Sequence, residues 1–420
     1  MKRVGALLVV GATACTGKPA DSAAPLVFPY TYTPQTDLQD YEQVRWETET
    51  WDPLSDTAEA ALYAEKSILH RKSAPKEELD HYVAMRPKLP PLGSGTQVDF
   101  VGDVMWMGDN WSHFLDPVAG MLDGDIRVGN VETPIDPDLP TDKNSLPPYS
   151  FNAPPEILDS VPLDVLQLTN NHTMDMGNDG VSATIAQVDA RGFQRTGIDT
   201  HVIVPAPNGG QIAFLAFAWG MNNRVDVPER NLYVVPFGHL GGSDGEGDID
   251  LTPVQDAIDG ARAAGATSVV LLVHWGYEYE YYADPHYLIL ARQMIAMGAD
   301  LIVGEGPHVV EPPEICSVDG GETPAIGTCA IDDGLGKPRT AAVLYSLGDF
   351  GTTLQTLPCQ EGIVASVSLD PDVTGLGWQA EVSTSGPNGI EAEPTKDSTD
   401  VDVVAENARL DALLGTSWKR

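Results

Sequence analysis

The chain is short of cysteine, with four in 420 residues, and short of positive charge, with 24 Lys and Arg against 61 Asp and Glu. Each shortage removes a class of protein. Without a CxxC pair or zinc-finger Cys/His spacing, nothing points to a structural zinc module. A formal net charge of −37 implies a surface that repels nucleic acid and anionic headgroups, which argues against a basic polymer-binding groove. An anionic substrate would then need a local positive centre, and a bound metal ion is an economical way to make one. Long apolar runs are lacking as well, so no segment beyond the N-terminus reads as a membrane span. Apolar residues nonetheless make up 42% of the chain, enough for a sizeable core. The length suits two or three domains, or one large α/β domain with extensions.

The N-terminus does carry one short apolar run. In MKRVGALLVVGATACTG, Lys2 and Arg3 precede it and Ala12-Thr13-Ala14-Cys15 closes it, so residues 1–15 read as an export signal. Small residues directly before Cys15 resemble a bacterial lipoprotein cleavage box, which would leave Cys15 acylated; ordinary cleavage after Ala14 is the alternative. The expected location is the cell envelope, with membrane contact through the N-terminal lipid only. Of the remaining cysteines, Cys316 and Cys329 could staple the stretch between them in an oxidising compartment and leave Cys359 unpaired. Other pairings stay open.

Residues 16–95 begin as a Pro/Ala/Ser/Asp tether, pass through an expected helix at AEAALYAEKSILHRK and close on RPKLPPLGSG. They are read as a spacer with a helical element packed on the main domain. From residue 96 to 385 the pattern is strand, loop, helix, strand. VDFVGDVM, DIRVGN, DVLQLTNN, QIAFLAFAW, SVVLLVHWG, ADLIVGEG and AAVLYSLGDF are short β-rich runs, several apolar nearly throughout, as buried strands are. DGVSATIAQVDARG, TPVQDAIDGARAAG and DPHYLILARQMIAMG are the helices between them, the last two opening with a capping residue and proline and ending in glycine. Residues 386–420 read as an acidic linker and a short amphipathic helix. The acidic run GGSDGEGDID at 241–250 lacks the full spacing of a calcium loop and reads as a solvated linker.

Five of the strands end in polar residues of one character. They are Asp103; Asn130 and Glu132; Asn170, Asn171 and His172 with Asp175 following; His274 with Glu278 following; and His308. In α/β sheets the loops after strand C-termini converge on one crevice, so these groups can meet although they are distant in sequence. Asp, Glu, Asn and His form an oxygen/nitrogen ligand set for one or two divalent cations. Any one of them alone reads more readily as a turn former or helix cap; five in one domain are harder to dismiss.

The ordered set GDVM, NVETPI, LTNNHTMDMG, VHWGYEYE, GEGPHV and YSLGDF resembles the CapA family of bacterial poly-γ-glutamate capsule synthesis, a branch of the calcineurin-like metallophosphoesterase fold. The resemblance runs from about 96 to 370 and implies a two-sheet α/β/β/α sandwich. It also implies that Asp103, Glu132, Asn171, His274 and His308 hold metal, with Glu132 between two ions. His172, oriented by Asp175, would act as the acid. The ions would be one or two divalent metals, with Mn, Zn, Fe and Ca all admissible. Glu278 would be an accessory acid.

Two departures stand out. The family's Gly-x-His-Pro-His reads Gly304-Glu305-Gly306-Pro307-His308, and Asp349 replaces an asparagine in YSLGDF, so Glu305 and Asp349 become candidates to compensate. Three readings follow: a hydrolase acting on a phosphoester or amide-like bond, a non-catalytic envelope protein holding an anionic polymer on a degenerate metal site, and a structural lipoprotein. A membrane-bound polymer synthase is a conceivable partner; nucleic acid is not expected.

Overall fold

Runs such as FLAFA and VVLLVH are apolar on both strand faces, and such strands are stable only between two layers. The protein supplies them. In the structure, a computed structural model, residues 74, 76–108, 110–141, 151–222, 227–235, 249–276, 278–283, 285–354 and 356–420 are described. The segment read as an export signal, Cys15, the helix expected at AEAALYAEKSILHRK and most of the acidic run at 241–250 lie outside the described residues.

Two seven-stranded mixed sheets form the centre. In chain order the strands are β1 (Thr96–Val104), β2 (Ile126–Val131), β3 (Val165–Gln167), β4 (Gln194–Thr196), β5 (Val202–Pro205), β6 (Gln211–Ala218) and β7 (Ser268–His274), followed by β8 (Leu301–Glu305), β9 (Glu314–Val318), β10 (Cys329–Ile331), β11 (Arg339–Leu344), β12 (Glu361–Asp370), β13 (Asp372–Gly386) and β14 (Gly389–Pro394). The first sheet runs β14-β13-β12-β1-β2-β3-β4 and the second β10-β9-β11-β8-β7-β6-β5. Strands β1 to β4 are mutually parallel, as are β6, β7 and β8. Each parallel set therefore presents its C-terminal ends together.

The longer helices are α1 (Lys76–Met85), α2 (Gly177–Ala190), α3 (Thr252–Ala263), α4 (Pro285–Ala296) and α5 (Val401–Leu414). Phe100 of β1 meets Phe214 of β6 with ring centroids 6.4 Å apart, inside a core that both sheets share. Val254 and Ile258 of α3 and Leu288, Ala291 and Ile295 of α4 join that core from the second sheet's side. Val181, Ile185 and Val188 of α2 pack with Val101 and Leu166 on the other face of the first sheet. This is the α/β/β/α sandwich the resemblance implied.

One stretch differs from the sequence reading, and the expected C-terminal helix is present. The residues read as the start of an acidic linker contain β14, because Ile390 and Ala392 alternate inward while Glu393 faces water and the strand extends the first sheet beside β13. Helix α5 is joined to the core through Leu410, Leu413 and Leu414, and Asp400 caps it by accepting the amides of Asp402 and Val403. At the N-terminal side, α1 carries His81, whose Nε2 lies 2.6 Å from Glu314 Oε1 at the start of β9. Cys316 and Cys329 are bonded across the parallel β9–β10 pair, and Cys359 is a buried thiol 3.1 Å from Thr356 Oγ1.

Candidate metal centre

Strand β1 delivers Asp103 to the bottom of the crevice with no exposed surface. Its backbone is clamped on both sides: the Asp103 amide donates to Gly348 O at 3.2 Å, and Asp103 O accepts from the Phe350 amide at 2.8 Å. Gly102 permits this approach, because a Cβ there would lie 1.7 Å from Gly348 O. Asn130, at the end of β2, donates from Nδ2 to Asp103 Oδ1 at 2.7 Å and stands 3.4 Å from His274 Nδ1. Asn170 in turn donates to Asn130 Oδ1 and to Val131 O, both at 3.0 Å. The two buried asparagines thus tie three strand ends together, a task for which an amide, as both donor and acceptor, is suited.

Two sets of donor atoms converge there. Asp103, Glu132 and His308 form one and Asp103, His274 and Glu305 the other, each with ligand atoms within 4.8 Å of one another and all buried. The sets share Asp103 and touch elsewhere: His274 Nε2 is 3.4 Å from Glu132 Oε1, and His308 Nδ1 is 3.6 Å from Asp103 Oδ2. His308 is also 2.8 Å from Asp349 Oδ1 through Nδ1. Asn171 is buried after β3.

The buried oxygens that lack a hydrogen-bond partner test whether a cation fits. They include both oxygens of Glu132, Glu305 Oε2, Asp349 Oδ2 and Asn171 Oδ1. Burying ionised carboxylates in this state costs several kcal/mol each, about what an adjacent metal would offset. Burial, reinforced by Asp103, pushes the carboxyls of Glu132 and Glu305 well above the usual range. Asp349 is raised to about 7 by burial, against the pull of His308. Burial alone would lower the His308 pKa, but Asp349, Asp103 and Glu278 together raise it to about 9. Glu278 is half-buried and acts on Glu132, His308 and Asp349 through its charge. Such a donor set suits one or two divalent cations.

Beside these groups stands a buried histidine–carboxylate pair. His172 Nδ1 lies 2.6 Å from Asp175 Oδ2, and the same oxygen accepts the Phe151 amide at 2.7 Å. Nε2 faces the crevice, 3.9 Å from Glu132 Oε1 and 3.4 Å from Asn222 Nδ2. The Phe151 ring packs edge-on against the imidazole with centroids 4.3 Å apart. Asn222 and Phe151 were not singled out in the sequence. Asn222 follows β6, and the strand-end argument applied to that strand too would have found it; Phe151 carries no sequence signal of its role.

The geometry of the Gly304–His308 turn explains why position 306 carries no side chain. Gly306 has φ 109°, and a Cβ there would meet Trp275 O at 2.6 Å, so this backbone accepts glycine only. Its amide instead donates to Asp103 Oδ2 at 2.9 Å. Glu305, one residue earlier, brings a carboxylate to the cluster.

Against this geometry, the family model for the bacterial capsule synthesis protein PGA_cap matches residues 97–353. The chain belongs to this family. It is 30% identical over 235 residues to the capsule biosynthesis protein CapA of Bacillus anthracis, covering 53% of this chain and 54% of that one. It is 26% identical over 286 residues to the PGA biosynthesis protein CapA of Bacillus subtilis, covering 60% and 68% respectively. The match thus spans little more than half the length of the anthracis relative. Among solved structures, a hypothetical protein of Thermus thermophilus aligns with TM-score 0.36 and 12% identity over 68% of this chain and 98% of that one. The NAD nucleotidase NadN of Haemophilus influenzae aligns with TM-score 0.36 and 11% identity over 76% and 56%. Sulfate thiohydrolase SoxB of Thermus thermophilus gives 0.32 and 15% over 68% and 42%. All three likenesses are remote.

Proposed function

We propose that this PGA_cap protein is exported to the cell envelope, anchored through Cys15, and acts in capsule or poly-γ-glutamate synthesis through a metal-dependent hydrolase-type site. The observation that carries this reading is the convergence of two donor sets on Asp103 within reach of a carboxylate-oriented histidine. One or two divalent cations held by Asp103, Glu132, His274, Glu305 and His308 would supply positive charge to an anionic phosphoester or amide-like substrate and polarise the bond to be cleaved. In a protein of net charge −37, substrate attraction needs such a centre.

The chain's own residues do the rest. Asp175 holds the His172 ring through Nδ1, which turns Nε2 toward Glu132, where it would hand a proton to a leaving group. Phe151 packs against the ring from one side and Asn222 Nδ2 stands 3.4 Å from Nε2 on another, which limits how the ring can turn. Asn130 and Asn170 keep Asp103 in register with the ends of β2 and β3.

The test is metal content per chain after dialysis against manganese, zinc and calcium in turn, followed by turnover of bis(p-nitrophenyl) phosphate and a γ-glutamyl anilide. Bound metal with turnover that disappears in His172→Ala supports the hydrolase. A chain that retains no ion and turns over neither probe would overturn it. Gly306 favours a second reading, a non-catalytic polymer binder, since one family histidine is absent. Retained metal, no turnover and saturable binding of poly-γ-glutamate would be its signature.

A further inference from the structure

Resting on the metal-centre reading above, we infer that Glu305 is a ligand completing the second cation position with Asp103 and His274, and that its carboxylate biases that position toward hard cations such as Mn²⁺ relative to Zn²⁺. Glu305 and His274 are register partners across the parallel β7–β8 pair, and the Trp275 amide donates to Glu305 O at 2.8 Å. Directly opposed residues on neighbouring strands project to the same side of a sheet. Both ligand atoms accordingly approach Asp103. Glu305 is 1% exposed, and its Oε2 is a buried acceptor without a hydrogen bond.

Position 306 cannot take over this role. With φ 109° and Trp275 O at 2.6 Å from an ideal Cβ, a side chain there would require the turn to be rebuilt, and the Gly306 amide is already committed to Asp103. The turn has one residue able to reach the second donor set, and it is a carboxylate. That changes both charge and softness. Ionised Asp103, Glu132, Glu305 and Asp349 carry four negative charges in a buried cluster whose ion-pair partners among the described residues are histidines. Two divalent cations bound by neutral imidazoles would balance that charge, whereas an imidazole at 305 would leave one positive charge in excess. Oxygen-rich donor sets favour Mg²⁺, Ca²⁺ and Mn²⁺ relative to sites richer in imidazole, which favour Zn²⁺.

The experiment is competitive equilibrium dialysis of the full chain against Mn²⁺ and Zn²⁺, with elemental analysis, for the native protein, Glu305→Gln and Glu305→His. Circular dichroism checks the fold of each. The native chain should hold two ions. Glu305→Gln, of similar size, should keep one and bind the second at least about tenfold more weakly. Glu305→His should recover the second ion and shift its Mn²⁺/Zn²⁺ preference at least about tenfold toward Zn²⁺. Two ions held by folded Glu305→Gln with native affinity, or an unchanged preference in folded Glu305→His, would overturn the assignment of Glu305. No ion on the native chain would instead overturn the metal-centre reading itself.

Discussion

His308 turns its Nδ1 onto Asp349 Oδ1 at 2.8 Å while its own backbone occupies the left-handed region at φ 60°. A non-glycine residue there costs about 1 kcal/mol or more and persists where surrounding contacts hold it. Asp349 provides such a contact, and the isolated bridge between Asp349 and Asp103 ties both to the end of β1. A carboxylate behind a ligating histidine also fixes its ring. Asp349→Ala should therefore weaken the ion at Asp103, Glu132 and His308 by about 10- to 100-fold, read by isothermal titration with Mn²⁺. An unchanged affinity would mean that the turn alone orients His308.

The metal-free protein should lose stability as pH rises. Asp349 titrates near 7 when folded and near 3.8 otherwise, and His308 near 9 against 6.5. Burial moves Asp103, Glu132 and Glu305 upward too. In each case the folded state holds more protons than the unfolded one, so the stability slope with pH is negative. The His308 contribution is fully present below pH 6.5 and is lost as pH rises through about 9. The Asp349 contribution is fully present below pH 3.8 and is lost as pH rises through about 7. Each extra proton retained contributes about 1.4 kcal/mol per pH unit. Thermal melts in EDTA should show a lower Tm at pH 9 than at pH 6, and excess Mn²⁺ should shrink or reverse the difference. A Tm in EDTA that rises over this interval would contradict the burial of these carboxyls.

Glu314 has the opposite linkage. Burial alone would raise its pKa, but Arg292, His81 and Tyr345 together hold it down at about 2. Arg292 reaches Oε1 at 2.6 Å and the Tyr345 hydroxyl donates to Oε2 at 2.7 Å. Its stabilisation is present above pH 4.5 and is lost as pH falls through about 2. Glu314→Gln should cost roughly 3 to 5 kcal/mol at neutral pH, since it removes a charged partner 2.6 Å from a buried guanidinium. Tyr345→Phe should cost only about 1 kcal/mol. Because His81 belongs to α1, Glu314→Gln should also speed proteolysis near residues 76–88, and urea melts together with digestion time courses would check both.

This anchor also shows where the sequence was opaque. KEELDHYVAM is half polar, and besides buried Tyr82 and Met85 it is docked by His81 through a partner 233 residues away, which no local pattern reveals. Strand β14 hid behind its glutamates, although Ile390 and Ala392 alternate as a half-buried strand should. The apolar runs ending in Asp103, His274 and Glu305 were legible because parallel buried strands carry little else, and their convergence follows from the rule for strand ends. The sequence offered both Glu305 and Asp349 as substitutes for the absent histidine, and why position 306 carries no side chain was not legible. It depends on a positive φ and a carbonyl 2.6 Å from where a side chain would begin, and both are properties of the folded turn.

The pairing of His172 with Asp175 supplies the sharpest test of the chemistry. Asp175→Asn keeps the side chain's size but removes the carboxylate that orients the His172 ring, and the Phe151 amide can still bond to the remaining carbonyl oxygen. Neither residue belongs to the two donor sets around Asp103, so metal content should stay at the native level. Turnover of a phosphodiester probe should fall by about 10²- to 10⁴-fold, the range for losing an aimed general acid. The loss should be in kcat rather than KM, since the proton matters only once the leaving group develops charge. Native turnover with native metal content in Asp175→Asn would show that His172 is wall packing beside Phe151, and the acid would then have to be sought elsewhere around the crevice.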